Sequence, residues 1–433
     1  MTLPATLTRD RSALVYIKEE TTPGTMTAMP AGTDALKVVN PPMLIQKNNY
    51  TELSETGTSL LTVDKIRNFA EYCDFDLEFY SRPNGSAGSA PDEDVLLEHF
   101  LGTKTTDAGV DVEYTFSNTI QTASVFSRTG TGTSIALDVA VGAIPTKLDL
   151  NLSRDGAVTW RMGMRSNRIY HAATAEVSAF ASGSPDTVTV DAPKRNAATD
   201  MIAADVLFDT LTVDIVQSDG SALSGGAVSS KAISSVSTTA GTFTCTIDQG
   251  VTEGTPADGD LVVPVLASPT ISTKSPLSQE KVTVFIAAQD ADDGTASDNT
   301  DLFHADNKVP CIGLSLSFDR GVQAPLQKEM DGDEFPPATY LLDQINITGS
   351  LDVIVRPNDM ARFFAGLDAA PVRSLGIQIG STAGRIIEMY IPGAHLEKPD
   401  RSVESGARKI TVNFKVVSGT KTTDATKFIL RYR

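Results

Sequence analysis

A mainly β chain with a few short helices is what the sequence predicts, built as two related modules around a smaller β insert. Three observations carry that prediction. Apolar and polar residues alternate over several short runs, clearest from Cys73 to Tyr80, where Phe75, Leu77 and Phe79 face one way and Asp74, Asp76 and Glu78 the other. One ordered set of elements occurs twice. Finally, from about residue 176 to 275 the composition shifts to Ser, Thr, Ala, Gly and Asp with few charges.

The repeat resets the reading of the whole chain. In the first copy CDFDLEFYSRPNG supplies a strand ending in Arg82-Pro83-Asn84, PDEDVLLEHFLG from Pro91 supplies a helix, and later strands lead to an Ile-Pro pair and a closing strand, IPTKLDLNLS from Ile144. In the second, INITGSLDVIVRPNDMARFFAGL from Ile345 gives a strand, Arg356-Pro357-Asn358 and a short helical run. IPGAHLEKPDRSVESGARKITVNFKV from Ile391 then closes it. The implied division is 1–175, 176–275 and 276–433, and 433 residues suit two or three cores.

Taken in order, residues 1–12 read as a flexible arm, ALVYIKEE from Ala13 as a first strand, TTPGTMTAMPAGTD as a loop, and VVNPPMLIQ from Val38 as a resumed strand. A long polar connection runs from Lys47 to Glu71, with a counterpart from Asp319 to Asp343. Connections of that length are functional or disordered. In the first helix, proline at the start and three acids in the first turn suit the N-terminal dipole, Gly102 ends it, and Val95, Leu96, Leu97 and Phe100 form the apolar side.

Strands DVEYTFS, TASVFSR, SIALDVAV and LDLNLS follow, and Asp155-Gly156 signals a hairpin into AVTWRMGMR. In the insert, DTVTVDA, DTLTVDIVQSDG, GTFTCTIDQG and GDLVVPVL read as short strands between Gly and Asp turns. QDADDGTASDNTD from Gln289 reads as a solvated linker.

Several chemistries are excluded or weakened. There is no G-x-S-x-G elbow, P-loop, H-E-x-x-H or paired-cysteine motif. His99, His171, His304 and His395 are scattered, and each has a structural reading; Cys73, Cys245 and Cys311 read as reduced, buried thiols. Asp290, Asp292, Asp293, Asp298 and Asp301 could offer oxygens to calcium, but their order fails the twelve-position loop, and a hydrated acidic loop is the better reading. RTGTGT from Arg128 lacks the third glycine and following helix of a dinucleotide loop and reads as a turn. No catalytic residue, cofactor or metal is expected.

The formal net charge of -18 argues against a nucleic-acid-binding face but leaves room for a protein that DNA slides past. No apolar run is long enough to span a membrane, and the start lacks the apolar segment of a secretion signal, so neither membrane insertion nor export is expected. The acids Asp74, Asp76 and Glu78 have a bland reading, the wet face of an antiparallel sheet, and a functional one, a stripe facing a channel. Their counterparts Asn346, Thr348, Ser350 and Asp352 are polar but mostly neutral.

On IKEETTPGT, the long loop before the Arg-Pro-Asn strand, the helix, and IPGAHLEKPD to ITVNFKVV, the chain resembles the major tail tube proteins of long, flexible-tailed phages, in the arrangement where the tube fold occurs twice. About three quarters of the chain shares the likeness. It implies a structural virion protein, assembled in the host cytoplasm, with two tube β-sandwich or barrel modules per chain. Six modules from three chains would close a pseudo-hexameric ring, and rings would stack through the long loops around a tape-measure protein, ending at tail terminator and tip proteins. Double-stranded DNA would pass transiently along a lumen faced by Asp74, Asp76, Glu78, Asn346, Thr348, Ser350 and Asp352, which repels phosphate, with the insert on the outer surface. The alternatives are a β-sandwich surface adhesin or carbohydrate-binding module and, more weakly, a carbohydrate-active enzyme with paired carboxylates.

Overall fold

The computed structural model describes residues 13–26, 28–45, 50–53, 64–67, 72–117, 121–153, 155–166, 168–181, 186–191, 194–196, 199–200, 211–239, 242–247, 254–270, 272–291, 301–323, 340, 343–354, 372–397, 400–404, 407–417 and 428–433. The fold is mainly β. Its first part holds β1 (Leu14–Glu19), β2 (Ala35–Leu36), β3 (Tyr50–Leu53), β4 (Asp64–Arg67), β5 (Cys73–Tyr80), α1 (Asp94–Leu101), β6 (Gly102–Asp107), β7 (Asp111–Phe116), β8 (Ala123–Thr131), β9 (Ser134–Leu152), β10 (Thr159–Ser166) and β11 (Arg168–Ala173). Then come β12 (Ala175–Ala181), β13 (Asp186–Asp191), β14 (Lys194–Asn196), β15 (Thr199–Asp200), β16 (Thr212–Val216), β17 (Val228–Thr239), β18 (Thr242–Ile247) and β19 (Leu261–Pro264). The last part holds β20 (Val282–Ala288), β21 (Lys308–Val309), β22 (Cys311–Asp319), β23 (Asn346–Ile354), β24 (Val372–Ile379), β25 (Ile387–Leu396), β26 (Asp400–Glu404), β27 (Ala407–Val416) and β28 (Ile429–Tyr432).

The first and last parts pair their strands in one order. Antiparallel neighbours run β2–β1–β8–β9–β10–β5 in the first and β21–β20–β24–β25–β27–β23 in the last. β11 lies on the front of β9 as β28 lies on the front of β25. Two seams join the parts into one 18-stranded sheet, β22 on β9 and β28 on β7.

Long strands turn the sheet's corners. β9 is a single strand of 19 residues, where the sequence suggests two, SIALDVAV and LDLNLS. Its front pairs with β8 and β11, its rear with β10 and β22. Gly142, at φ 66°, and bulges on both sides bend the strand without ending it. The buried Glu20 carboxylate holds the bend, accepting from Gly142 N–H at 2.8 Å and from the Thr122 and Ser124 hydroxyls at 2.7 Å, while Tyr340 Oη donates to Gly142 O at 2.6 Å. In β25 a bulge falls at the same kind of place, and Ser374 Oγ donates to Pro392 O at 2.9 Å. Each Ile-Pro pair therefore lies where a strand passes between sheets, the setting in which a missing N–H is tolerated.

The core follows the alternation. Leu77, Phe79, Trp160, Met162, Leu148, Leu150, Leu316, Phe318, Leu351 and Val412 are buried beneath the β5–β10–β9–β22–β23–β27 sheet. Helix α1 covers them with Leu96, Leu97, Phe100 and Leu101. Val95, expected on the apolar side, is 44% exposed, because the buried face is set by the Leu96/Leu97 and Phe100/Leu101 pairs one turn apart. Gly102 ends the helix in the left-handed region at φ 97°.

Strands β12–β13–β18–β17–β16–β19 close a six-stranded barrel. It packs on the face of β1, β8 and β9 turned away from the main core, where Tyr16, Phe126, Leu137, Val139 and Val141 share one apolar cluster with Val177, Val213, Ile215 and Val262.

Other sequence expectations are altered. The connection 47–71 contains a hairpin, β3 on β4. Among its described residues VVNPPMLIQ forms no ladder, since Pro41 and Pro42 remove two N–H groups; Val39 N–H is its one backbone bond to β5, at Glu78 O, 2.7 Å. The acidic stretch from Gln289 is a connection inside the last part rather than a linker before it, because β20 precedes it and already pairs with β24. The arm 1–12, Arg356-Pro357-Asn358 with its helical run, most of the 319–343 connection, and Asp292, Asp293 and Asp298 lie outside the described residues.

Candidate functional site

The two sets of residues singled out in the sequence lie on one face of one sheet. Glu78 is opposite Arg161, Arg161 opposite Asp149, Asp149 opposite Ser317, Ser317 opposite Thr348 and Thr348 opposite Lys415. A parallel row runs from Tyr80 through Thr159, Asn151, Ser315 and Ser350 to Asn413. Directly paired residues share a face, so a polar surface six strands wide crosses the β9–β22 seam unbroken. Asp74, Asp76 and Glu78 are at one end, and Asn346, Thr348, Ser350 and Asp352 are near the other.

Asp74, Asp76, Asp149 and Asp352 each meet a basic side chain. Arg161 Nη2 donates to Asp76 at 2.7 Å, and Arg165 Nε donates to Asp74 at 2.7 Å. Further along, Lys147 meets Asp149 at 3.0 Å, while Asp352 takes Lys409 at 3.1 Å and the Thr411 hydroxyl at 2.7 Å. Its hydrogen bond to Asp76 raises the proton affinity of the Arg161 guanidinium further. Six carboxylates, on residues 74, 76, 78, 149, 319 and 352, thus share the face with five basic side chains, on residues 147, 161, 165, 409 and 415. Six carboxylates against five cations leave the face close to neutral at short range.

The basic partners went unnoticed in the sequence. AVTWRMGMR carries a signal for them, with Arg161 and Arg165 alternating against Trp160, Met162 and Met164 in a strand that a tight hairpin turns back.

Arg82 turns the chain at the end of β5. Its guanidinium donates to Lys274 O at 3.2 Å and lies 5.4 Å from the Tyr80 ring centroid, and Asn84 donates to Ala90 O at 3.2 Å. Behind this turn the buried Glu93 carboxylate accepts from Arg82 N–H at 3.0 Å, from Tyr432 Oη at 2.8 Å and from Ser81 Oγ. Burial pushes the carboxyl up despite these donors. The buried Arg320 donates to His99 O at 3.3 Å and Ser117 O at 2.7 Å, tying the end of β22 to the end of α1, and burial pulls it down to about 10.

The histidines stand apart. His99 bonds Val95 O on α1, His171 pairs Asp138 at 2.6 Å, His304 accepts from Asp306 N–H, and His395 lies on β25. Among the described residues no group of three metal-ligating side chains forms, and the RTGTGT stretch is the β8–β9 hairpin turn. No family model and no curated protein matches the chain.

Proposed function

We propose that this chain is a structural subunit of a phage tail tube, with two tube modules per chain. Three chains close a ring, rings stack, and the polar face lines the conduit for DNA. The observation that carries the reading is the shared pairing order of the first and last parts, joined at β9–β22 so that one polar face continues from one to the other. A sheet with this topology can be extended by the same step, which removes its open edges only by closing on itself. With about four strands per module, six modules give about 24 strands, enough for an open channel.

The balanced face refines how the conduit works. A wall of mostly paired carboxylates and small hydroxyls offers phosphate no excess of cations, so counterion release cannot hold the DNA against it. The barrel, on the opposite side of the first part, is then on the outside of the tube.

Electron microscopy of the purified protein, with the mass of isolated rings, tests the proposal. Stacked rings with three times the 45.9 kDa chain mass are expected. A chain that stays monomeric at every concentration and salt overturns it.

A further inference from the structure

We propose that residues 39–45 of one copy dock antiparallel along β26 of the next, remaking between chains the joint that β22 and β9 make within one. The inference rests on the tube reading above and adds which edges meet and in what register.

Each half of the joint is identified by its place in the pairing. β22 follows β21, which lies on β20; residues 39–45 follow β2, which lies on β1. Gly313 stands opposite Asp352, four residues before Arg356, while Val39 donates to Glu78 O at 2.7 Å, four residues before Arg82. Residues 39–45 therefore occupy in the first part the place that β22 holds in the last. β22 has partners on both sides, Leu316 lying between Gly349 and Leu150. Residues 39–45 have β5 on one side, and among the described residues no ladder on the other.

The complementary edge is found in the same way. The rear of β9 pairs with β10 through Asp149↔Arg161, and β26 pairs with β27 through Asp400↔Thr411. Arg161 and Thr411 are themselves opposite Glu78 and Asp352. β26 thus stands for the rear of β9, and among the described residues its far edge carries no strand.

Chemistry supports an occupant at residues 39–45. After a bend at Val39 and Asn40, burial alternates as in a strand, with Pro42 and Leu44 buried and Met43 and Ile45 exposed by 76% and 60%, the two most exposed large apolar side chains described. Transferring the β9–β22 register puts Pro42 opposite Arg401, Pro41 opposite Ser402 and Asn40 opposite Val403. In the docked strand, the alternation that begins with Val39 N–H on β5 turns the N–H groups of the even-numbered residues toward the neighbour. Pro42 has none, so the joint between chains has one ladder bond fewer than its counterpart within the chain. That deficit also discourages pairing with stray strands before assembly.

Cysteine cross-linking of the full chain tests this. Opposed residues in an antiparallel pair have Cα atoms about 4.5–5.5 Å apart, inside the roughly 4.4–6.8 Å that a disulfide spans. The double variant Pro41→Cys/Ser402→Cys, oxidised after assembly, is expected to run mainly as a covalent trimer on a denaturing gel. Either single variant, and the off-register pair Pro41→Cys/Glu404→Cys, should give under a tenth as much. Rings without a cross-link, or equal yields from the off-register pair, overturn the proposed edges while leaving the ring intact. Absence of rings from the unmodified protein overturns the tube reading and this inference together.

Discussion

Arg161 on β10 reaches diagonally to Asp76 on β5, with 2.7 Å between guanidinium nitrogen and carboxylate oxygen. The strand that looks most like a negative stripe in sequence is therefore the one closely countered by cations.

The two arginine pairs on this face differ in solvation, and their mutants should differ accordingly. Asp76 and Arg161 are both more than half exposed, so Asp76→Ala should change stability by at most about 1 kcal/mol. Arg165 is 19% exposed, stacks over the Tyr72 ring and also donates to Val322 O. Asp74→Ala, which strands that guanidinium, should cost about 1–3 kcal/mol. Urea denaturation of both variants checks the order.

Glu93 predicts a pH dependence of definite sign. Its folded carboxyl is raised above the ordinary 4.5 by burial. The unfolded chain then releases this proton first, so the group's stabilisation is complete below about 4.5 and is lost as pH rises through the folded value. Glu93→Gln, which keeps acceptor oxygen without the charge, should remove that downward slope in melting temperature. An unchanged slope would assign the dependence to another group.

Gly349 lies under an aromatic ring. A Cβ there would stand 2.4 Å from Phe414 Cζ and the same distance from Ser315 O, and both neighbours belong to strands that pair with β23. Gly349→Ala should destabilise by about 1–3 kcal/mol through overpacking. Thermal unfolding beside Gly163→Ala, whose nearest neighbour is the Thr146 hydroxyl at 3.1 Å, gives the comparison.

The barrel is more than an appendage. Removing residues 178–263 would uncover Tyr16, Phe126, Leu137, Val139 and Val141 of the first part, which pack against it. An apolar patch of that extent promotes association. The shortened chain should aggregate, and polar replacements at Tyr16 and Leu137 should restore solubility, read by light scattering.

What the sequence made legible was local. Alternation at Asp74–Glu78 and Ile347–Val353 marks the faces of β5 and β23, and Gly102 marks a helix end. Long-range partnership was not legible. Nothing in CIGLSLSFD says that its second neighbour will be β9, because an evenly alternating strand fits many partners and the choice is made by the sheet around it. Residues 39–45 show the converse. Their composition suits a strand, but adjacent prolines leave them, among the described residues, with one backbone hydrogen bond to β5 and one from the Asn40 side chain to Glu78. The countercharges on the polar face escaped notice because Arg161 and Arg165 lie some 85–91 residues from their acids.

Because β9 runs unbroken from the strands that pack on the barrel to the polar face, a pull on the barrel travels along one covalent backbone. Glu20 and Tyr340 brace the single bend on that route. A force applied at the barrel would therefore be passed along β9 to the polar face.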